Sequence, residues 1–151
     1  MFNVIRLPIS GGFSFHEAVT SHGWYALAPF KYDAEQAVRS VGFIESETQR
    51  PVTVEVHGQD SELEIKYRWG LRNDNKIADL VKHILRIDED FSKFYEKADR
   101  YEPIAWARTS FSGRLLRSPT VFEDMVKTLC TTNCSWQLTK IMTGNLVDKL
   151  G

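Results

Sequence analysis

Two alternating runs constrain the fold most. Residues 52 to 57 read Val-Thr-Val-Glu-Val-His, and residues 63 to 69 read Leu-Glu-Ile-Lys-Tyr-Arg-Trp. Successive side chains of an extended chain point to opposite faces, so Val52, Val54 and Val56 share one face, as do Leu63, Ile65, Tyr67 and Trp69. The Gly58-Gln-Asp-Ser link is of hairpin type and makes the two runs antiparallel neighbours. Such a sheet is covered on one face and wet on the other, which explains the outward Glu55, Glu64 and Lys66 as solvation.

The residues before this hairpin extend the sheet. Residues 2 to 7 alternate until Pro8 and Gly11-Gly12 break the run, and residues 37 to 45 contain Val38, Val41, Phe43 and Ile44. Trp24 to Pro29 is expected as a strand ended by proline, with Lys31 to Gln36 a polar turn. Phe13 to Val19 is expected as a short helix with Ser14 near its start. An antiparallel sheet of about five strands results.

Helical periodicity takes over at residue 74. Asp74 is placed to cap, and Ile77, Leu80, Val81, Ile84 and Leu85 form one stripe that would lie on the sheet. A helix over 89–97 turns Phe91, Phe94 and Tyr95 inward, and after Pro103 a short helix covers 106–111. Ser118 as N-cap and Pro119 as first helical residue open the next helix, with Glu123 and Asp124 at its positive end. Phe122, Met125, Val126, Leu129 and Cys130 give it a stripe expected to be buried. Thr131-Thr132-Asn133 ends it, and Ser135 caps a further helix from Trp136, making a helix hairpin with Asn133 at its turn. The fold class is therefore α+β: an antiparallel sheet domain with covering helices over 1–99, then helices over 100–151. Trp136 is expected in the core. Leu138, Ile141, Met142, Leu146 and Val147 give the last helix apolar surface, and self-association through that helix is the expected consequence.

Composition narrows the class. With 42% hydrophobic and 26% charged residues the chain is ordinary for a globular protein. No apolar run approaches the twenty or so residues of a membrane span, and the first residues do not read as a signal peptide, so an intracellular location is expected, prokaryotic cytoplasm or eukaryotic nucleus. The two cysteines, Cys130 and Cys134, flank the hairpin turn, while the four histidines lie far upstream; neither a metal nor a cofactor is expected. His57 and His83 have no catalytic partner placed by spacing. The net charge of −1 divides unevenly: residues 1–99 hold 12 basic and 16 acidic side chains, and residues 100–151 hold 7 and 4. The resulting +3 is a weak hint of phosphate affinity, and charge alone does not indicate nucleic acid.

Phe111-Ser-Gly-Arg-Leu-Leu-Arg-Ser-Pro119, the apolar helix after it and the turn Cys130-Thr-Thr-Asn-Cys-Ser-Trp136 resemble the opening of the helical domain in helix-hairpin-helix DNA glycosylases. That superfamily includes 8-oxoguanine and 3-methyladenine DNA glycosylases. Order, spacing and helix punctuation agree over residues 111 to 136, with Ser118-Pro119 in place of the usual start, and the turn is closest to the alkylbase branch. A sheet domain precedes the helices in that superfamily too. The resemblance implies base-excision repair of alkylated or oxidised bases, with damaged duplex DNA as the partner. It places the DNA contacts at Asn133, Thr132, Arg114 and Arg117. Asn133 also reads as a capping amide, and the two arginines as partners of surface carboxylates.

The catalytic aspartate of that superfamily, and the lysine that bifunctional members add, lie beyond this helix pair, after a Gly-rich hairpin that binds phosphate. The sequence up to Gly151 contains no such segment. Asp148, Lys140 and Lys149 lack the required context, so no catalytic residue is assigned. The expectation is an incomplete glycosylase domain that binds DNA and is inactive alone, with a second chain as one source of the missing half. Whether the chain is an enzyme stays open, and the alternative is a non-enzymatic module that binds DNA or protein.

Overall fold

The computed structural model describes residues 2–9, 11–35, 38–44, 51–59, 61–68 and 74–150. Five antiparallel strands form one sheet: β1 (Asn3–Pro8), β2 (Lys31–Asp33), β3 (Val38–Ile44), β4 (Pro51–Gly58) and β5 (Glu62–Tyr67), in the order β1-β5-β4-β3-β2. Six α-helices accompany it among the described residues: α1 (Phe15–Thr20), α2 (Asp74–Leu85), α3 (Ser92–Asp99), α4 (Trp106–Ser110), α5 (Val121–Thr131) and α6 (Trp136–Leu150). The architecture is α+β.

The central hairpin follows its alternation. Val54 pairs with Tyr67 and Val56 with Ile65, and Val52, Val54, Val56, Leu63, Ile65 and Tyr67 are all buried. The α2 stripe meets this face with Ile77, Val81, Ile84 and Leu85, closing one apolar core between sheet and helix. The Tyr67 hydroxyl donates to the Asp74 carboxylate at the start of α2; burial first, and then this carboxylate, push its pKa up to about 12. On the wet face Arg6 pairs with Glu62 and Lys66 with Glu64. Trp69 and Asp60 lie outside the described residues, as do the side chains of Val38, Phe43 and Ile44.

Three expectations fail locally. Trp24 to Pro29 is not a strand: Gly23–Ala26 is a 3₁₀ turn, and the strand at this edge is Lys31–Asp33, within the expected polar turn. The His22 ring accounts for the turn, because its Nδ1 accepts the Trp24 N–H at 3.1 Å while Nε2–H donates to the Leu116 carbonyl at 2.9 Å. In α3 only Tyr95 of the three expected aromatics is fully inward; Phe94 is 38% exposed. Helix α5 begins at Val121, and its cap is Thr120, whose side chain accepts the Glu123 N–H at 3.2 Å. Ser118 is instead fully buried.

Candidate nucleic-acid interface

The segment 112–118 forms no regular element and belongs to no sheet. Its burial alternates, with Ser112, Arg114, Leu116 and Ser118 inward and Gly113, Leu115 and Arg117 facing out to differing degrees. Single hydrogen bonds tie its backbone to the first layer: Arg117 N–H to the Ile84 carbonyl (3.0 Å) and Leu116 N–H to Ser21 Oγ (3.0 Å). The Ser112 hydroxyl donates to the Glu17 carboxylate. Phe111 and Gly113 hold positive φ, 55° and 108°, and a Cβ on Gly113 would come within 2.8 Å of the Phe94 ring. This strap fixes where α5 starts.

Helix α5 is anchored by its charged side. The Trp24 indole N–H donates to Asp124 Oδ1 at 2.7 Å, and the same oxygen accepts the Ser118 N–H at 3.0 Å. Lys127, only 2% exposed, donates to Ser118 Oγ (3.1 Å) and to Glu123 Oε1 (2.5 Å), with its ammonium 3.8 Å from the centroid of the Phe30 ring. The expected burial of the apolar stripe is thereby overturned. Phe122 is 76% exposed, Met125 61% and Leu129 67%, because a helix held through Asp124 and Lys127 turns the opposite side outward.

Helix α6 meets α5 through Thr139, whose Oγ1 donates to the Cys130 carbonyl at 2.8 Å; Thr143 Oγ1 donates back to the Thr139 carbonyl within α6 at 3.0 Å, and both residues are buried. Trp136 packs edge-on against Gly23, where an added Cβ would lie 2.4 Å from its ring; it stays 41% exposed, so it is not a core residue. Ser135 caps α6 by accepting the Leu138 N–H.

Of the four residues singled out for DNA, two meet at the turn between these helices. Thr132 is the C-cap of α5, its hydroxyl donating to the Leu129 carbonyl at 2.7 Å. Asn133 follows in the left-handed conformation, φ 53°, a place that suits Gly or Asn after a helix. It terminates the helix through its backbone, and its exposed amide makes no hydrogen bond among the described residues.

The arginines lie elsewhere. Arg117 pairs with Glu89 at 2.8 Å with 39% of its side chain exposed. Arg114 is 6% exposed; it donates to the carbonyls of Arg86 (2.6 Å) and Glu89 (2.9 Å), and its guanidinium stacks 4.3 Å from the Phe91 centroid. Burial lowers its pKa below the usual arginine value. Its charge is used inside the fold. The Arg86 guanidinium, which donates to Glu89 Oε2 at 2.9 Å, and then the charges of Arg117 and Arg114 hold the Glu89 carboxyl below its usual range.

No group of three or more His, Cys, Asp or Glu able to hold a metal occurs among the described residues, and no helix there is long and apolar enough to cross a membrane. Cys130 and Cys134 are free thiols, the latter donating to the Cys130 carbonyl. Sequence reasoning missed the Trp24–Asp124–Lys127 anchor. Its one local signal was Glu123 and Lys127 at i and i+4, which ordinarily marks a solvated ion pair.

Compared with known proteins, the chain matches no family profile and no curated sequence. Among solved structures it superposes on the 3-methyladenine DNA-glycosylase from Archaeoglobus fulgidus with a TM-score of 0.78 at 15% identity. The fold is DNA-glycosylase-like. The match covers 97% of this chain and 51% of the other, so the chain spans about half the length of that enzyme.

Proposed function

We propose that this chain is the N-terminal part of a base-excision-repair DNA glycosylase for alkylated or oxidised bases, and that it grips the damaged duplex while catalysis comes from elsewhere. The observation that carries the reading is the Asn133 amide, set on the exposed turn between two helices of a glycosylase-like fold with its donor and acceptor both unspent among the described residues. An amide so placed can fill the gap left when a nucleotide is extruded from the stack. The start of α6 adds the positive end of a helix dipole beside it, suited to a backbone phosphate. Thr132 is the neighbouring contact at the turn, Arg117 a separate contact away from it, and Arg114 serves as a brace. Asp148, Lys140 and Lys149 lie exposed on α6, without the enclosed setting a catalytic pair needs.

Fluorescence anisotropy with a duplex containing an abasic-site analogue tests this. The chain should prefer that duplex to an undamaged one by at least about tenfold, and Asn133→Ala should remove most of the preference. Equal affinity for the two duplexes, or an unchanged Asn133→Ala variant, would sink the reading. The outward apolar side of α5 favours a second reading, a module that binds protein.

A further inference from the structure

We infer that His22 is the positioning residue of the α5–α6 hairpin, and that a second proton on its ring releases the hairpin from the first layer. The consequence, a grip on damaged duplex that weakens in mild acid, rests on the DNA reading; the release itself does not.

The ring fits its place in one protonation state. Nδ1 accepts the backbone N–H of Trp24 at 3.1 Å and so carries no proton, while the proton on Nε2 is donated to the Leu116 carbonyl at 2.9 Å. The ring also stands edge-on to the Trp24 indole, with centroids 4.9 Å apart. A doubly protonated ring would set one N–H against another at Nδ1, and the 3₁₀ turn over Gly23–Ala26 would lose the bond that closes its start.

Both helices of the hairpin rest on that turn. Gly23 lies against the Trp136 ring of α6 with no room for a Cβ, and the Trp24 indole holds Asp124 of α5, whose same oxygen takes the Ser118 N–H. Through Leu116 the histidine grips the strap as well. The charged groups on the surrounding elements have partners of their own: His16 the Tyr32 hydroxyl, Glu17 the Ser112 hydroxyl, Arg114 two carbonyls, Arg117 Glu89, and Lys127 Glu123. Lys140, one turn on from Trp136, is exposed. Asp124 is linked to the ring through the Trp24 indole, and two N–H donors already draw on it. Free histidine takes its second proton near pH 6.5, at about the value that makes it a switch. The folded turn needs the neutral ring, so the hold is complete above that pH and is lost as pH falls below it.

Hydrogen exchange followed by NMR on the full chain, with rates corrected for the intrinsic effect of pH, tests the release. Between about pH 7.5 and about pH 5, a range above ordinary carboxylate values, the Trp24 and Ser118 N–H groups should lose about tenfold or more of their protection, while Ile65 in β5 keeps its own. The midpoint should match the titration of the His22 ring signal. His22→Asn, whose Oδ1 can take the Trp24 N–H without titrating, should abolish the dependence. The ratio of affinities for abasic and undamaged duplex should fall about threefold or more over the same range, since a general gain of positive charge cancels in it. Unchanged protection in the parent overturns the inference, as does a loss that follows another histidine or persists in His22→Asn. A release that leaves a clear preference for the abasic duplex constant overturns its consequence for DNA. A parent without that preference at any pH sinks the DNA reading, and the exchange rates decide the release on their own.

Discussion

The sheet layer and the α5–α6 hairpin use the same kinds of residue in opposite senses. On β4, β5 and α2 the apolar stripe is inside; on α5 the buried residue is Lys127, while Phe122, Met125 and Leu129 face out. Both regions are amphipathic by period. What differs is the docking chemistry. The sheet closes by removing apolar area from water, whereas α5 is held by a tryptophan–aspartate bond, a buried lysine and an aromatic face. Periodicity reports that a helix has two sides, and the long-range partners decide which one turns inward.

The widest test sets one apolar truncation in each region. Ile65→Ala, at a position with no exposure, should destabilise the chain by about 3 kcal/mol in urea unfolding. Leu129→Ala, at 67% exposure, should stay within about 0.5 kcal/mol at concentrations below any self-association. If the two effects are comparable, the apolar side of α5 is covered in the folded monomer and the contrast is wrong.

Much of the fold was legible because local pattern and tertiary partner agreed. The β4–β5 alternation, the α2 stripe, the Ser14 cap and the stop at Asn133 are each set by residues within a few positions of one another. The failures are long-range. Ser118 has the side chain of an N-cap, but Lys127 claims it, and Thr120 takes the role. The Trp24 turn depends on a histidine that also serves the Leu116 carbonyl. Arg114 resembles a surface cation until Phe91 and two carbonyls of the α2–α3 connection enclose it. At the candidate interface the turn was readable, while the anchor that fixes its position was not.

A second test addresses that anchor. Lys127→Ala leaves Ser118 and Glu123 without their cation and opens a gap above Phe30, so a loss of about 2–4 kcal/mol is expected. Lys127→Met keeps the stem and should recover a large part of it. A loss below about 0.5 kcal/mol for Lys127→Ala would mean that α5 is held by something else.

Titration separates the regions more gently. Tyr67 has its pKa raised in the folded state, to about 12 against an ordinary 10, so its contribution is fully present below pH 10 and is lost as pH rises through 12. Between those limits stability should fall by on the order of 2 kcal/mol, and Tyr67→Phe should flatten that part of the profile. An unchanged slope in Tyr67→Phe would show that the Tyr67–Asp74 contact does not couple β5 to α2 in solution.

The smallest effect is at the start of α5, where the two candidate caps give opposite forecasts. Thr120 accepts the Glu123 N–H from an exposed position, so Thr120→Ala should cost about 1 kcal/mol and Thr120→Ser almost nothing. Ser118 caps nothing; its hydroxyl satisfies the buried Lys127 ammonium, and Ser118→Ala should therefore exceed Thr120→Ala, because it leaves a desolvated charge short of one acceptor. The double substitution Ser118→Ala with Lys127→Met should then cost less than Ser118→Ala alone, since the methionine side chain asks for no acceptor. Urea unfolding of the four variants decides the matter: if Thr120→Ala proves the more costly single change, α5 is set by its own cap, and the inward turn of its charged side follows from helix geometry instead of from the lysine.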